Sequence, residues 1–225
     1  MGRMDASTPD DGPAGGGGVR LLGKASSINV RKVLWTAHEL GLPLTREDWG
    51  SGFQSTDTPA FRALNPNALV PVLVDGDFVL WESNSICRYL CAREGRTDLL
   101  GGATARGRAV VEQWMDWQAG ELNNSWRYVF MGRVRHSADH QDAALQRAGE
   151  ANWLRHMRML DAQLARTGAW VAGDAFTLAD VVLGLSAERW RLTPQAHPGL
   201  PAVQAWREQL LRREGFRLHA ANGLP

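Results

Sequence analysis

Cysteine, long apolar runs and an excess of charge of either sign are all scarce in this sequence. Only two cysteines occur among 225 residues, Cys87 and Cys91, and their spacing fits neither a disulfide framework nor a C-x-x-C redox motif. We interpret both as buried helix residues. No apolar stretch approaches the roughly 20 residues of a membrane-spanning helix, and the N-terminus lacks the apolar core of a signal peptide. These absences favour a soluble, cytoplasmic protein.

The charge balance argues against an acidic polymer as partner. Lysine and arginine together number 25 against 24 acidic residues, a formal net charge of +1, and no basic block is interleaved with aromatic residues. We therefore expect no nucleic-acid partner. The one close histidine pair, His136 and His140, lies in a polar run without an evident third ligand, so we expect a solvated face and no metal site.

The order of local signals predicts two domains. Residues 1–18 are mostly Gly, Pro, Asp and Ser, which predicts a disordered tail. Residues 19–95 give the order β-α-β-loop-β-β-α, a complete small α/β layer structure. Residues 96–105 form a candidate linker, and residues 106–225 alternate helical segments with short breaks. The predicted fold class is an α/β domain followed by an all-helical domain.

Within these domains, the clearest local signal is a hairpin in "VPVLVDGDFVLW", with strands over Val70–Val74 and Phe78–Trp81. Residues 50–69 before it are rich in turn-formers and predict a long loop, which in compact domains is often functional. The helical half should contain four segments: Arg108–Arg135, Asp142–Arg166, Leu178–Arg191 and Ala202–Arg213. Thr177 and Asp180 have capping-box spacing at the start of the third segment, a folding signal.

Two adjacent serines precede the first helix in "GKASSINVRKVLW", Gly23 to Trp35. A serine here can simply cap the helix. However, residue 30 is Val, so Ser27 has no capping-box partner, and Asn29 could itself be the N-cap residue. Either Ser26 or Ser27 is therefore available to a ligand, and the residues alone leave that choice open.

Four motifs, in this order and spacing, make the chain resemble the cytosolic glutathione transferase family. They are "SxNxRKV" at the first helix, "NPNALVPVL" around Pro71, "ES" at Glu82-Ser83, and "GDAFTLAD" in the helical half. The first motif is most similar to bacterial, serine-type members with theta- or phi-like N-terminal sequences. The resemblance implies a thioredoxin-like N-terminal domain that holds glutathione as co-substrate. It also implies an all-helical C-terminal domain that shapes the second-substrate pocket, a homodimer, and no metal.

The resemblance also assigns the serines. In the serine-type classes the spacing places the catalytic hydroxyl on Ser27 and a supporting side chain on Asn29. Ser26 is one residue out of register and remains the alternative. Neither tyrosine nor cysteine lies near this turn, which argues against the tyrosine-type classes and against the cysteine-based omega and beta kinds.

Four further residues carry over as glutathione contacts. In the family the peptide before the proline that matches Pro71 is cis, and the residue matching Val70 pairs its backbone with the cysteinyl part of glutathione. The serine matching Ser83 holds the α-carboxylate of the γ-glutamyl group, and the acid matching Glu82 faces its ammonium. Ser83 as a plain N-cap is the simpler alternative, and is compatible with that role.

The second-substrate pocket is the least defined part of the site. Trp114, Trp117 and Trp126 recur at helical spacing, for which core packing is the simplest interpretation. The resemblance implies that one or two face the pocket, and Trp114 and Trp117 are our candidates. An anchor for the glycine carboxylate should come from the loop between Gly50 and Asn65 or from a nearby basic side chain, and Arg62 is our candidate.

The predicted activity is conjugation of glutathione to a small apolar electrophile. The alternatives are glutathione-dependent isomerisation of a cis-alkene diacid, glutathione-dependent disulfide or peroxide reduction, and a non-catalytic glutathione-binding module.

Overall fold

The computed structural model describes residues 18–225, so the predicted tail, apart from Gly18, lies outside the described residues. The N-terminal half is an α/β layer structure. Its elements are β1 (Arg20–Leu22), α1 (Ile28–Leu40), β2 (Thr45–Glu47), α2 (Pro59–Leu64), β3 (Val72–Asp75), β4 (Phe78–Trp81) and α3 (Ser83–Arg93). The predicted element order is confirmed, with α2 added and the hairpin's first strand beginning at Val72.

The four strands form one mixed sheet in the order β2-β1-β3-β4. Strand β1 runs parallel to β2 and antiparallel to β3, and β4 is antiparallel to β3. Leu22, the last residue of β1, lies opposite Val72, the first of β3, which lies opposite Trp81, the last of β4. Three chain segments therefore leave the sheet at one edge.

Helix α1 joins this sheet to the helical half. Its apolar residues Val30, Val33 and Trp35 are fully buried, and Gly41 ends the helix in a left-handed conformation with φ 66°. The Trp35 ring packs tightly on the helical half, since a Cβ built on Gly184 would lie 3.0 Å from it. Helix α1 thus belongs to the cores of both halves.

The second half is helical throughout the described chain. It contains α4 (Ala105–Trp117), α5 (Asn123–Arg133), α6 (Ala143–Thr167), α7 (Leu178–Leu192), α8 (Pro201–Leu210) and α9 (Glu214–His219), with 3₁₀ turns at Thr97–Leu100 and Ala138–His140. A π-helical turn, Gln118–Leu122, separates α4 from α5, so the predicted continuous segment Arg108–Arg135 is wrong in that detail. The thioredoxin-like domain followed by an all-helical domain, as predicted, is the observed fold class.

The capping box predicted at the start of α7 is confirmed. Asp180 accepts a hydrogen bond from the Thr177 backbone N–H at 2.9 Å, and the reciprocal bond to the N-cap side chain is also present. The same carboxylate accepts from the backbone N–H of Val171 and from Nε1 of Trp206, each at 2.9 Å. Asp180 therefore links α7 to α8 and to the turn that precedes α7.

The structure contains three short helical elements that the local sequence did not predict. The loop over residues 50–69 contains α2, because Thr58 caps the helix by accepting from the Phe61 N–H and Pro59 occupies its first turn. The predicted linker includes the 3₁₀ turn Thr97–Leu100, whose Leu99 and Leu100 are buried. A further helix, α9, follows the last predicted segment. Both cysteines are buried and free, as expected.

Over residues 18–225, none of the helices has the length and apolar character needed to cross a membrane.

Candidate functional site

The sheet edge at Leu22, Val72 and Trp81 collects most of the residues predicted from sequence. The loop after β1 carries Ser26 and Ser27, the turn before β3 carries Val70 and Pro71, and the chain after β4 carries Glu82 and Ser83. Helices α1 and α3 both begin at this edge, so their free N–H groups and positive dipole ends face the same region. Such an edge suits a ligand with anionic groups.

Ser27 is the N-cap residue of α1, with an extended backbone at φ −76° and ψ 125°. Its carbonyl accepts from the Arg31 N–H at 2.9 Å, but its side chain makes no capping bond. Asn29 lies inside the helix, so its alternative assignment as the N-cap is wrong. Among the described residues neither Ser26, Ser27 nor Asn29 has a side-chain hydrogen-bond partner. The hydroxyl at the helix start is therefore unengaged.

The Val70–Pro71 peptide bond is cis, which confirms the expectation taken from the family. Val70 lies against the loop that leads to Ser27, since a Cβ built on Gly23 would lie 3.1 Å from the Val70 Cβ and 2.5 Å from Cγ2 of Val30. Neither the N–H nor the C=O of Val70 bonds to another described backbone group. An extended segment of a ligand could pair with it.

Glu82 has φ 72° and ψ 110°, a conformation that non-glycine residues rarely adopt. Such a residue persists only where its surroundings hold it, and is frequent at ligand sites. It makes Glu82 the N-cap residue and Ser83 the first helical residue of α3, so the alternative of Ser83 as N-cap is wrong by one position. Ser83 is 5% exposed, and its hydroxyl bonds to no described residue.

The sequence did not predict a buried lysine in helix α1. Lys32 of α1 is 1% exposed, and its Nζ donates to Oε1 of Gln118 at 2.7 Å and to Oδ1 of Asn84 at 3.2 Å. Asn84 in turn donates to the carbonyl of Met115 at 2.8 Å. Burial lowers the pKa of Lys32 to about 8, opposed by the nearby Cys87 and Glu82. This network joins α1, α3 and the end of α4.

The three tryptophans of the first long helical stretch have different neighbours. Trp114 and Trp117 pack edge to face with ring centroids 5.1 Å apart, and Trp117 also contacts the ring of His156 at 5.8 Å. Trp126 instead carries the Arg189 guanidinium, whose Cζ is 4.5 Å from its ring centroid. All three are partly buried against the main core, and Trp126 is the one in contact with a buried cation.

Other sequence candidates lie outside this arrangement. Arg62 is exposed and pairs with Asp57 at 2.9 Å, so its charge is already engaged. His140 bonds to Ser137 at 2.8 Å, and no cluster of three or more His, Cys, Asp or Glu that could hold a metal occurs in residues 18–225. Two surface cavities, of about 320 and 610 Å³, touch none of the predicted site residues. The sheet edge remains the candidate site.

A thioredoxin-like domain with a cis-proline turn and a serine at its first helix, joined to an all-helical domain, defines a protein of the glutathione-transferase type. Comparisons with known families agree. The family models for the glutathione S-transferase N-terminal and C-terminal domains match residues 26–93 and 142–209. The chain belongs to the glutathione S-transferase family and is a glutathione transferase.

Individual relatives cover most of the chain. Glutathione S-transferase GstB of Escherichia coli is 37% identical over 201 residues, covering 88% of this chain and 96% of the relative. Glutathione S-transferase 3 of Zea mays is 35% identical over 210 residues, with coverage of 88% and 91%. The theta class enzyme of Xanthomonas axonopodis pv. citri, solved with glutathione bound, has a TM-score of 0.83 at 36% identity and covers 90% of this chain and 96% of its own.

Proposed function

We propose that this protein binds glutathione at the sheet edge and stabilises the glutathione thiolate with the Ser27 hydroxyl. The unengaged Ser27 hydroxyl at the start of α1 is the observation that carries the proposal. A free thiol has a pKa of about 8.5, so only a few per cent is thiolate at neutral pH. A hydroxyl donor at the positive end of a helix lowers that pKa without any strong base.

The rest of the edge supports the tripeptide. The unpaired backbone of Val70, beside Pro71, pairs with the cysteinyl unit as a short strand. The Ser83 hydroxyl and the free N–H groups of α3 hold the γ-glutamyl carboxylate, while Glu82 faces its ammonium. Asn29, the second residue of α1, takes the supporting role beside Ser27. The theta class relative that was solved with glutathione bound supports glutathione as the ligand.

The bound thiolate then attacks a small electrophile. A carbon–sulfur bond forms, and the carbon's leaving group departs with its bonding electron pair. Residues 19–95 serve as the glutathione domain, residues 96–105 as the linker and residues 106–225 as the wall of the second-substrate pocket, near Trp114 and Trp117. We further propose that the protein works as a homodimer in the cytoplasm.

The test is titration of the thiolate ultraviolet absorbance of enzyme-bound glutathione in the parent, Ser27→Ala and Ser26→Ala. Loss of a hydrogen bond to a charged group, about 1.5 to 3 kcal/mol, should raise the bound thiol pKa by roughly one to two units in Ser27→Ala only. The Ser26→Ala variant is the matched control.

Three results would contradict the proposal. An unchanged thiol pKa in Ser27→Ala would remove the hydroxyl from the chemistry, and a shift confined to Ser26→Ala would move the role by one residue. Bound glutathione without a thiolate band in the parent would indicate a non-catalytic binding module.

A further inference from the structure

Arg189 of α7 is a buried cation with no partner among residues 18–225. Its side chain is 5% exposed, and its guanidinium forms no hydrogen bond or ion pair with any residue that the structure describes. Nε is fully enclosed and unsatisfied. Leaving a charged group buried and unpaired is among the most costly arrangements in a protein interior, so such a group calls for a function.

Aromatic rings hold Arg189 in place. Its Cζ lies 4.5 Å from the centroid of the Trp126 ring and 4.3 Å from that of Phe130. Arg135 approaches the same Phe130 ring at 5.5 Å, which adds a second cation to the cluster. Burial, together with the charges of Arg31 and Arg135, lowers the pKa of Arg189 to about 9. Ring faces attract a cation but do not neutralise it.

The acidic residue nearest to Arg189 in sequence does not compensate for the charge of its guanidinium. Glu188, the preceding residue, is 1% exposed and binds Arg191 and Arg207 instead. Arg213 offers a comparison within the molecule, because it lies over the Phe176 ring at 3.8 Å yet pairs with Glu39 at 2.5 Å. Stacking on a ring and pairing with a carboxylate thus occur together at Arg213, and the carboxylate is the component that Arg189 lacks.

A chain of hydrogen bonds connects the aromatic cluster around Arg189 to helix α1, which begins immediately after the proposed thiolate donor Ser27. Lys32 on α1 donates to Gln118, whose Nε2 donates to Asn123 Oδ1 at 3.1 Å. The same Asn123 oxygen accepts from Nε1 of Trp126 at 3.2 Å, and the Trp126 ring stacks on Arg189. Arg31, which interacts electrostatically with Arg189, lies one turn after Ser27 on α1.

From this arrangement we infer that the second substrate is an anionic aromatic electrophile, whose acidic group binds Arg189 while its ring lies against Trp126 and Phe130. The inference rests on the proposed function and refines it. The rings provide the apolar contacts expected from sequence, and the guanidinium adds recognition of a carboxylate. For an aryl chloride, the glutathione sulfur bonds to the ring carbon, and chloride leaves with the electron pair of the broken carbon–chlorine bond.

A matched pair of substrates tests the assignment. The pair is 4-chloro-3-nitrobenzoate and its neutral amide, 4-chloro-3-nitrobenzamide, assayed with glutathione in the parent, Arg189→Met and Arg189→Lys. In Arg189→Met, kcat/KM for the benzoate should fall roughly 10- to 100-fold, whereas kcat/KM for the amide should stay within about twofold. Arg189→Lys should lie between the two, because lysine keeps the charge and loses the planar fork.

Arg191→Met is the control on the same helix, since Arg191 is half-exposed and pairs with Glu188. It should leave the ratio of the two substrates unchanged. Equal losses on benzoate and amide in Arg189→Met would overturn the inference. A raised thiol pKa of bound glutathione in that variant would also overturn it, by assigning Arg189 to the thiolate.

A binding measurement separates this inference from the proposed function. Unreactive 3-nitrobenzoate should bind the parent without glutathione and bind Arg189→Met roughly 10-fold or more weakly, as seen by titration calorimetry. If the parent conjugates neither aryl chloride, the proposed function fails on these substrates, and the calorimetry still decides the anion site. Equal binding of 3-nitrobenzoate to parent and Arg189→Met, or none to either, would overturn the inference alone.

Discussion

Lys32 and Gln118 meet across the junction of the two domains, with Nζ of the lysine donating to Oε1 of the glutamine at 2.7 Å. Gln118 continues the network by donating to the Ser186 hydroxyl on α7 at 3.0 Å. The start of α1 is therefore fixed against the helical domain by polar contacts as well as by packing. Because Ser27 lies just before that helix, the junction also sets the position of the proposed thiolate donor.

Lys32 should make the free energy of unfolding depend on pH in the alkaline range. Burial lowers its pKa in the folded protein to about 8 from 10.5, so the folded state releases this proton before the unfolded chain does. The penalty for burying the charge is fully present below the folded pKa and disappears as pH rises towards the unfolded value. Lys32 should thus raise the free energy of unfolding by up to about 1.4 kcal/mol per pH unit across that window.

Urea unfolding of the parent and Lys32→Met at several pH values measures this dependence. The difference between the two proteins should grow with pH in favour of the parent. Lys24→Met is the control, because Lys24 Nζ donates to the Ser51 carbonyl at 3.0 Å in an exposed position. A parent-minus-variant difference that stays flat across the window would show that Lys32 is not the titrating group.

We expect the Glu82 carboxylate to increase the affinity for glutathione, and the strained Glu82 backbone to lower the free energy of unfolding. Glu82→Gln keeps the backbone and removes the charge, so KM for glutathione should rise roughly 5- to 50-fold while stability is unchanged. Glu82→Gly should lose the same affinity but gain about 1 kcal/mol in unfolding free energy, because glycine accepts φ 72° without strain. Steady-state kinetics and urea unfolding measure the two effects.

Glu94→Gln, at the far end of α3, is the control for the Glu82 pair and should leave KM for glutathione unchanged. Parental affinity in Glu82→Gln would remove the carboxylate from ligand binding.

Gly23 should tolerate no side chain. Its φ is 153°, and an added Cβ would lie 2.5 Å from Cγ2 of Val30. Gly23→Ala should lower the unfolding free energy by roughly 2 to 4 kcal/mol. It should also raise KM for glutathione, because Val70 and the Ser27 loop would be displaced. Thermal unfolding and kinetics report both.

Gly41→Ala is the matched variant for Gly23, with φ 66° and no atom within 4 Å of the added Cβ. It should lose only about 1 kcal/mol and keep KM. If the two alanine variants behaved alike, the close approach at Gly23 would have no consequence.

Asp180 should be essential for folding, independently of ligand. Asp180→Ala would leave the N–H groups of Val171, Thr177 and Trp206 without their acceptor, all of them buried. We expect a loss of roughly 3 to 5 kcal/mol, measured by urea unfolding. Asp174→Ala, at an exposed position in the preceding turn, should stay within about 0.5 kcal/mol of the parent. A comparable loss in both variants would contradict the special role of Asp180.

Much of the fold could be predicted because local signals coincide with it. The Asp75-Gly76-Asp77 turn, the Thr177–Asp180 capping box and the stop at Gly41 each act within a few residues, and each is found in the structure. Helix α2 also has local signals, a threonine cap and a proline in its first turn. It was not predicted because it is only six residues long and lies within a polar stretch. The π-helical turn before α5 carries no comparable local signal.

The residues of the candidate site also fall into two groups, those that local sequence predicts and those that it does not. Recognisable sequence motifs contain five of the site residues, so these could be predicted from the sequence: Ser27, Val70, Pro71, Glu82 and Ser83. Lys32 and Arg189 could not, because charged residues are ordinarily exposed and nothing adjacent to them in sequence indicates burial. Lys32 meets its partner Gln118 from 86 positions away.

The sequence by itself determined most of the helices and strands, the fold class that they build, and the motif that carries two serines before the first helix. Capping, turn and periodicity preferences act over a few residues, so the chain carries them locally. Only the tertiary structure decided that the ends of β1, β3 and β4 share one edge. It also decided that Arg189 lies buried against two aromatic rings with no counterion in the part of the chain that the structure describes, because burial and charge compensation depend on residues that meet only after the chain has folded.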